Sequence, residues 1–256
     1  MLVLSPSKGQ NFEDQSCVKK YTHPDFLKQS EELITLLRRF NREQLQDLMD
    51  ISEDLAALNM KRYQTFQVPF TPENAKQAFC AFSGDVYSDI DVENYTPEDL
   101  EFAQKHVRIL SGLYGCLRPL DLIQPYRLEM KTRLSNDKGN TLYAFWGTRI
   151  AEAMNNWAVE SGSKVLFNLA SSEYFKVIRN KALQVPVVDI LFKDEKAGKL
   201  RTIAIYAKRA RGKMANYIIQ KKVTEPGQLQ KFNGYGYIYD KNLSSPQQMV
   251  FTRIQP

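Results

Sequence analysis

Three polar segments of the sequence carry the side chains best suited to chemistry. They are Ser5-Pro-Ser-Lys8, Asn168-Leu-Ala-Ser-Ser-Glu173 and Lys208-Arg-Ala-Arg-Gly-Lys213. Each follows a short apolar run that predicts a strand, so each is expected to form a turn at a strand end. If the three strands run parallel, their carboxyl ends meet at one edge of a sheet, where backbone amides face anions. The sequence therefore predicts an anion-binding crevice at that edge.

The candidate side chains of this crevice fall into two groups. The anion-binding group contains Lys8, Arg118, Arg127, Asn168, Lys176, Lys208 and Arg211, and the candidates for acid–base chemistry are Ser5, Asp121 and Glu173. A single basic turn is usually solvated surface. The four cations within Lys208–Lys213 nevertheless repel one another unless an anion lies nearby. This repulsion favours a ligand-facing role for that segment.

A second candidate site is the glycine turn in Leu110-Ser-Gly-Leu-Tyr-Gly-Cys-Leu-Arg-Pro-Leu-Asp121. With the helix predicted before it, the segment has the form of a helix-hairpin-helix, in which a tight glycine turn lets backbone amides approach a phosphate. Arg118 would add a charge-assisted contact. The alternative is an ordinary helix cap and connection, since Gly112 and Gly115 are spaced Gly-x-x-Gly instead of the commoner Gly-x-Gly. Asp121 and Glu129 are also typical ion-pair partners for Arg118 and Arg127.

The elements that position these residues follow from hydrophobic patterning and capping signals. Residues 2–4 predict a buried strand. Helices are predicted to begin near Thr22-His-Pro24, Ser52, Thr71, Thr96 and Phe145, the fourth running through Val107 and Leu110 to Gly112 and the fifth ending at Gly162. Later strands are predicted at Lys164–Asn168, Val185–Phe192, Leu200–Tyr206, Tyr235–Tyr239 and Met249–Thr252, with a hairpin turn at Asp194–Lys199 and a helix near Ala215–Lys222.

The fold class that follows is mixed α/β. We expect residues 1–256 to form a single domain, in which a mixed sheet is flanked by helices. The helix-rich segment 22–161 would be an insertion that contains the helix-hairpin-helix-like motif near residues 97–125. No internal repeat or long linker divides the sequence.

Composition places the protein in a broad class. Hydrophobic residues make up 43% and charged residues 25% of the 256 residues, which are ordinary values for a globular protein. A net charge of +6 is a mild lean toward anionic partners. No apolar run approaches the ~20 residues of a membrane span, and the first residues do not form a secretion signal. With an odd number of widely spaced cysteines, these features predict a cytoplasmic protein with reduced thiols and no membrane partner.

Several kinds of site have no counterpart in the sequence. His23 and His106 lack neighbours at metal-ligand spacing, so we nominate no metal site and no cofactor. GxSxG, Walker A and GxGxxG motifs are absent from the sequence. Tyr235, Tyr237 and Tyr239 alternate along a predicted strand, where they either stack on bases or pack against a neighbouring strand. Cys116 would sense oxidants only if its thiol were exposed, and a buried core cysteine is the alternative.

Taken together, the motifs resemble the YaaA family of peroxide-stress proteins. The resemblance runs essentially from end to end and rests on six segments in the family's order: Leu4–Lys8, Phe82-Ser-Gly-Asp-Val-Tyr87, Leu110–Asp121, Tyr126-Arg-Leu-Glu-Met130, Asn168–Tyr174 and Tyr206–Gly212. It implies a cytosolic protein that protects DNA and proteins against hydrogen peroxide and is associated with lower free iron. It also implies DNA binding through the hairpin and an adjacent basic cleft.

The resemblance carries over to particular positions. Gly112, Gly115, Leu117 and Arg118 match the hairpin, whereas Lys208, Arg209, Arg211 and Lys213 match the basic turn, and all eight are implied to bind DNA. Lys8 matches the first loop. The sequence has Lys8-Gly-Gln where the family pattern is closer to Lys-Thr-Leu, and no residue can be nominated to bind iron.

Two functional hypotheses follow from these residues. In the first, the protein binds duplex or structured DNA through backbone phosphates, with little reading of bases. In the second, it is an enzyme that acts on a nucleotide or another anionic small molecule in the crevice. Geometry separates the two, because a long exposed basic groove favours DNA, whereas an enclosed pocket that holds a carboxylate beside a lysine favours catalysis.

Overall fold

The structure is a computed structural model that describes residues 1–13, 16 and 18–254, so that Cys17 lies outside the described residues. The helices are α1 (Leu27–Leu37), α2 (Arg42–Met49), α3 (Glu53–Thr65), α4 (Ala78–Ala81), α5 (Pro97–His106), α6 (Leu142–Trp146), α7 (Arg149–Ser161), α8 (Ser172–Phe175), α9 (Ala204–Gln220) and α10 (Pro226–Leu229). The strands are β1 (Leu2–Leu4), β2 (Gly9–Gln10), β3 (Lys76–Gln77), β4 (Phe82–Ser83), β5 (Val107–Ser111), β6 (Gly115–Leu117), β7 (Leu122–Ile123), β8 (Leu166–Asn168), β9 (Val187–Lys196), β10 (Lys199–Arg201), β11 (Ile238–Tyr239) and β12 (Gln248–Ile254).

The main sheet confirms the predicted mixed α/β class. Within the described residues it has eight strands in the order β11-β12-β9-β8-β1-β5-β6, with β10 paired to β9. The pairs β12–β9, β9–β8, β8–β1 and β1–β5 are parallel, whereas β10, β11 and β6 join antiparallel. Two short antiparallel ladders, β2–β4 and β3–β7, lie outside this sheet.

Strand β1 lies between two parallel neighbours in this sheet. Leu2 is in register with Val107 of β5 on one side and with Phe167 of β8 on the other. All three of its residues are fully buried, as expected for a continuous apolar run in a parallel sheet with both faces covered. The carboxyl ends of β1 and β8 therefore meet at one edge of the sheet, as predicted for the first two polar turns.

Helix α5 begins as predicted and ends earlier than predicted. Thr96 caps it with a capping box to Asp99 and a proline in the first turn. The helix stops at His106, because Val107–Ser111 is a strand buried at every position and paired to both β1 and β6. Residues Val107 and Leu110, which fit the apolar stripe of a helix, are used by the sheet instead. Tertiary pairing here overrides helical spacing.

The predicted helix-hairpin-helix is consequently wrong. The glycine turn joins β5 to β6 in a β-hairpin, with Ser111 opposite Gly115. Gly115 has φ +67°, and a side chain there would meet the Trp146 ring. Gly112, Gly115 and Leu117 are buried, so they present no backbone amides to a DNA surface.

Other element predictions were corrected by side-chain packing. Thr71 begins a turn and a short strand instead of a helix. The helix predicted from Phe145 is interrupted at Gly147, which has φ +53°. Helix α2, after Phe40, was not predicted. The predicted strand Leu200–Tyr206 ends at Arg201, because the next residues begin α9, which buries Ala207, Ala210, Met214 and Ile218 at helical spacing. The hairpin turn between β9 and β10 is confirmed, with positive φ at Ala197 and Gly198.

Two further predictions concern buried side chains and the membrane. Tyr237 is fully buried between Phe192 and the Arg253 guanidinium, which supports packing over base stacking for this tyrosine. Cys116 is buried, and burial raises the pKa of its thiol to about 12, so it lacks the exposure and thiolate character of an oxidant sensor. Among the described residues no helix has the length and apolarity needed to cross a membrane.

His106 should make stability depend on pH. Burial, together with nearby positive charges, lowers the pKa of this histidine from 6.5 to about 4. Between pH 6.5 and about pH 4 this histidine is therefore protonated in the unfolded chain and neutral in the folded chain. The free energy of unfolding falls as the pH drops through this range. Between pH 7 and pH 5 the wild-type protein should lose about 2 kcal/mol of unfolding free energy through His106, and His106→Gln should not show this part of the loss.

Urea denaturation of both proteins at the two pH values measures this difference. The exposed His23 offers a matched control, and His23→Gln should keep the wild-type pH dependence. Equal pH dependence in wild type and His106→Gln would contradict the assignment.

Candidate functional site

A partly enclosed cleft of about 530 Å³ lies at the carboxyl ends of β1 and β8. We call it the anion cleft. Its polar lining residues are Ser5, Ser7, Lys8, Gln10, Ser83, Asp85, Tyr126, Arg127, Glu129, Lys131, Ser171, Glu173, Tyr174, Lys208 and Arg211. These residues come from five separated segments of the chain, and each segment is held in place by specific contacts.

The first two predicted turns meet directly in this cleft. The Ser171 backbone N–H donates a hydrogen bond of 2.8 Å to Ser5 Oγ, and the Ser5 hydroxyl in turn donates to Ser171 Oγ at 3.3 Å. The Tyr87 hydroxyl donates to the Ser5 carbonyl at 2.8 Å. Ser5 is therefore fixed at the base of the cleft by its own backbone and side chain.

The loop after Ser5 is tied to the segment around Ser83. The Ser7 hydroxyl donates to the Ser83 carbonyl, and Gly9 pairs with Ser83 in the β2–β4 ladder. A side chain at Gly9 would lie 2.8 Å from Ser83 Oγ, and Gly84 has φ +111°, so both glycines allow close approach. This arrangement holds Lys8 between the two loops.

The basic run enters the cleft from a helix. Lys208 and Arg211 are three residues apart on α9 and share one face, which lines the cleft. Arg209 and Lys213 lie elsewhere on the helix, and Arg209 stacks on Tyr235 4.9 Å from its ring centre. The third polar segment thus reaches the predicted site although it is not a turn at a strand end.

Helix α9 is docked closely by a glycine. A side chain at Gly212 would lie 2.0 Å from the Val86 carbonyl oxygen, so only glycine permits this approach of the helix to the segment after Asp85. The approach brings Lys208 Nζ within 3.9 Å of an Asp85 carboxylate oxygen.

Glu129 lies at the centre of the charge arrangement. One carboxylate oxygen is 2.8 Å from Lys8 Nζ and 3.4 Å from an Arg127 nitrogen, and the other is 3.5 Å from Lys131 Nζ. Burial opposes ionisation of Glu129, but these cations outweigh it, and the pKa of the carboxyl lies below its usual value. Glu129 is therefore an ionised acceptor that orients Lys8.

Glu173 stands in the first turn of α8, beside the same residues. Its carboxylate accepts a hydrogen bond of 3.2 Å from the Lys131 backbone N–H, and its own carbonyl accepts one of 2.9 Å from the Tyr143 hydroxyl. These contacts connect α8 to the extended segment that carries Glu129.

The cleft has an excess of positive charge. Five lining cations, Lys8, Arg127, Lys131, Lys208 and Arg211, face three carboxylates, Asp85, Glu129 and Glu173. Arg211 is half-buried, desolvation lowers the pKa of its guanidinium, and among the described residues no carboxylate pairs with it. Its Nε atom is buried without a hydrogen-bond partner. A guanidinium in this state is a strong attractor for an anion.

Other predicted site residues lie outside the cleft. Asn168 donates to the Asp189 carboxylate at 2.7 Å, so its side chain is committed to the sheet. Lys176 lies over the Tyr143 ring, 4.8 Å from its centre. Lys213 lines a separate depression together with Asp89 and Asp91. Asn168 and Lys176, which the sequence predicts to line the same crevice as Lys8, are not among the residues that line the anion cleft.

Arg118 and Asp121 form a separate ion pair. Arg118 is 3.0 Å from Asp121 and 3.1 Å from Asp25, and it donates to the His23 carbonyl at 2.7 Å. Asp121 is buried and also accepts a hydrogen bond of 2.6 Å from the Thr22 hydroxyl. Neither residue lines the anion cleft, so the geometry gives Asp121 a structural place instead of an acid–base one there.

Sequence reasoning did not nominate Glu129, Lys131, Asp85 or Tyr174 for the site. The signal was present, because Asp85, Glu129 and Tyr174 fall within segments that carry the family resemblance. Five of those six segments supply residues to the anion cleft. The remaining segment, Leu110–Asp121, does not line the cleft but packs against a segment that does, because Gly112 contacts the Leu128 carbonyl.

Fold and site together define a mixed α/β protein with a basic ligand cleft at the edge of its parallel strands. Residues 1–243 match the family model described as peroxide stress protein YaaA. A UPF0246 protein of Acaryochloris marina is 51% identical over 253 residues, which cover 99% of each chain. The chain belongs to the YaaA family of peroxide stress proteins, which confirms the resemblance read from its motifs and supports a stress-related role.

The close contact at Gly112 should control both stability and the cleft. An added methyl group would lie 2.2 Å from the Leu128 carbonyl oxygen, so this backbone must move. We expect Gly112→Ala to lower the free energy of unfolding by about 1–3 kcal/mol, as measured by urea denaturation. Gly227→Ala is the control, because nothing lies within 4 Å of its added methyl. The same urea midpoint for Gly112→Ala and wild type would contradict the close contact.

Proposed function

We propose that this protein acts in peroxide stress by binding a phosphate-bearing nucleotide in the anion cleft. The observation that carries the proposal is the convergence of five cations from separate segments on one partly enclosed cavity of about 530 Å³. That volume lies in the range of small-molecule sites. Phosphate oxygens match the ammonium and guanidinium donors, of which Arg211 has no carboxylate partner among the described residues.

The other walls of the cleft suit the rest of a nucleotide. Tyr126, Leu128, Leu169 and Tyr174 provide aromatic and apolar surface beside the cations. Burial raises the pKa of Tyr174, with smaller contributions from Tyr126 and neighbouring carboxylates, so its phenol stays protonated and can donate a hydrogen bond. A base and sugar against these residues would leave the phosphate toward Lys8, Lys208 and Arg211.

The cleft also holds the pairing that favours catalysis. Glu129 is an ionised carboxylate 2.8 Å from Lys8 Nζ, which is the state that a general base needs, although the cations that lower its pKa also weaken it as a base. Glu173 and the Ser5 hydroxyl line the same cavity. We therefore place Lys8 and Glu129 ahead of Asp121 as the residues that would move a proton during a reaction on the bound nucleotide.

Two arginines on α9 test the nucleotide proposal. Arg211 lines the cleft, whereas Arg209 pairs with Asp89 and Tyr235 outside it. We expect isothermal titration calorimetry to detect binding of nucleoside mono-, di- or triphosphates, and Arg211→Gln to weaken it about tenfold. Arg209→Gln should change the affinity by less than about twofold.

The proposal is wrong if no nucleotide binds to the wild type, or if Arg209→Gln and Arg211→Gln weaken binding equally. Inorganic phosphate should bind more weakly than a nucleotide, because it leaves the apolar wall unfilled. If phosphate binds as tightly, the ligand is a simple anion and not a nucleotide.

A second candidate function is DNA binding, and the exposed cations at the cleft mouth favour it. The side chains of Lys8, Lys131 and Lys208 are 59%, 67% and 55% exposed. DNA phosphates would lie along this rim and the adjacent α9 surface, with no part for the buried glycine turn. Among the described residues no group of three His, Cys, Asp or Glu is arranged to hold a metal.

A salt series separates this surface from the hairpin. Fluorescence anisotropy with labelled duplex DNA should show affinity that falls with salt, and Lys208→Ala should reduce the log–log slope by about 0.9 if Lys208 contacts one phosphate. Arg118→Ala should leave the slope unchanged, because Arg118 is neutralised by Asp25 and Asp121. Salt-insensitive binding, or a loss confined to Arg118→Ala, would overturn this surface.

A further inference from the structure

A second cavity, of about 900 Å³, lies near the amino end of β5. It shares no lining residue with the anion cleft. Among its lining residues, apolar side chains such as Leu100, Leu120 and Trp157 lie beside the charged Lys105, Arg108 and Arg118. We call it the β5 cavity.

Arg108 is the unusual residue of this cavity. Only 4% of the residue is exposed, yet among the described residues no carboxylate lies within ion-pair distance of its guanidinium. Its Nη1 donates to the carbonyls of Gln104, Lys105 and Val107 at 3.2, 3.3 and 2.8 Å. Nε is buried without a partner, and Nη2 makes no hydrogen bond within the described part of the chain. One edge of the guanidinium is therefore unused.

The neighbouring arginine increases the need for a counter-ion. Ile109 pairs with Leu117 in the β5–β6 hairpin, so Arg108 and Arg118 occupy the next positions opposite each other. Like charges in such a pair repel. Arg118 is neutralised by Asp25 and Asp121. The pKa of Arg108 is lowered, mainly by burial and also by Arg118, and the opposing effects of Cys116, Asp121 and Asp25 compensate only in part. The uncompensated buried charge in this pair is that of Arg108.

The rest of the cavity is mostly apolar. Leu100, Leu120 and Trp157 contribute to its wall, and Arg108 lies over the Trp157 ring, 4.8 Å from its centre. A polyphosphate would find only one free buried cation here and would lose its hydration against apolar side chains. A ligand with a single negative charge and an apolar body matches both parts of the cavity.

We propose that the β5 cavity binds an amphipathic organic carboxylate. Its carboxylate bonds to Arg108 at Nη2, the terminal nitrogen that makes no hydrogen bond within the described part of the chain, and reaches the buried Nε through a small rotation of the guanidinium, because arginine takes a carboxylate on its Nε–Nη2 edge through two parallel hydrogen bonds. Its apolar body lies against Leu100, Leu120 and Trp157. Three exposed lysines line the cavity against two exposed glutamates, so the net charge at the rim favours an anion. They are Lys19, Lys20 and Lys105 against Glu101 and Glu160. This site is independent of the anion cleft and of the function proposed for it.

Three probes with the same apolar body test the proposal. Phenylbutyrate, phenylbutanol and phenylbutylammonium share a phenyl group on a four-carbon chain and end in a negative, a neutral and a positive head group at neutral pH. Their binding to the full-length protein is measured by isothermal titration calorimetry. We expect phenylbutyrate to bind at least about tenfold more tightly than the alcohol, and the ammonium compound not to bind.

The variant Arg108→Met removes the charge and retains the apolar stem. It should reduce phenylbutyrate affinity to that of phenylbutanol, about tenfold. Arg211→Met in the anion cleft is the control and should change phenylbutyrate affinity by less than about twofold. Circular dichroism melts show whether each variant is folded.

Leu100→Trp keeps the test decisive if Arg108→Met does not fold. It leaves Arg108 in place and fills the cavity from α5, so it should block phenylbutyrate binding. Equal affinity for acid and alcohol, full binding by either folded cavity variant, or loss of binding in Arg211→Met would overturn the proposal. Absence of phenylbutyrate binding to the wild type at millimolar concentration would do the same.

Discussion

The structure depends on the parallel pairing of β1 with β5 on one side and β8 on the other. Leu2–Leu4 are completely buried by this pairing, and the two neighbours come from distant parts of the chain. Because the strands run parallel, the end of β1 at Leu4 and the end of β8 at Asn168 open at the same edge. Ser5 and Ser171 then hydrogen-bond to each other and form the base of the cleft. Three apolar residues thus fix the place where the polar loops of the protein converge.

A second constraint acts from behind the cleft. The β5–β6 hairpin is buried, and Gly112 lets the Leu128 carbonyl approach to a distance that any side chain would prevent. The segment that carries Arg127 and Glu129 has no regular secondary structure, so this contact helps to define its path. The glycine turn that resembles a phosphate-binding hairpin in sequence therefore contributes to the anion cleft indirectly, by positioning the charged residues next to it.

The predictable part of the site is the part that local sequence determines. Apolar runs before Ser5 and Ser171 identified both strand ends, and hence Lys8 and Glu173, because a buried strand followed by a polar turn is a local pattern. The start of helix α9, Ala204–Tyr206, falls within the predicted strand Leu200–Tyr206. Isoleucine and tyrosine prefer strands, and only the burial of the following helix face decides the outcome.

Glu129 was not nominated for a different reason. It lies in an extended segment without periodicity, and its importance comes from contacts with Lys8 and Lys131 that connect distant or irregular parts of the chain. Asn168 shows the opposite case, a residue that the sequence predicts for the cleft and that the sheet uses instead. It adjoins the cleft in sequence, yet its amide is taken by Asp189 on the neighbouring strand. Proximity along the chain and proximity in space agree at strand ends and diverge where a side chain turns back into the sheet.

The ion pair between Lys8 and Glu129 gives the cleft a resident counter-ion. An incoming anion has to compete with a carboxylate that is already in contact with the lysine at 2.8 Å, so a weakly charged ion such as chloride gains little by entering. A dianionic group gains more, because it can engage Lys208 and Arg211 as well as Lys8. In the cleft as it stands, Glu129 offsets part of the excess positive charge, so an anion that displaced it from Lys8 would have to carry more charge than chloride does.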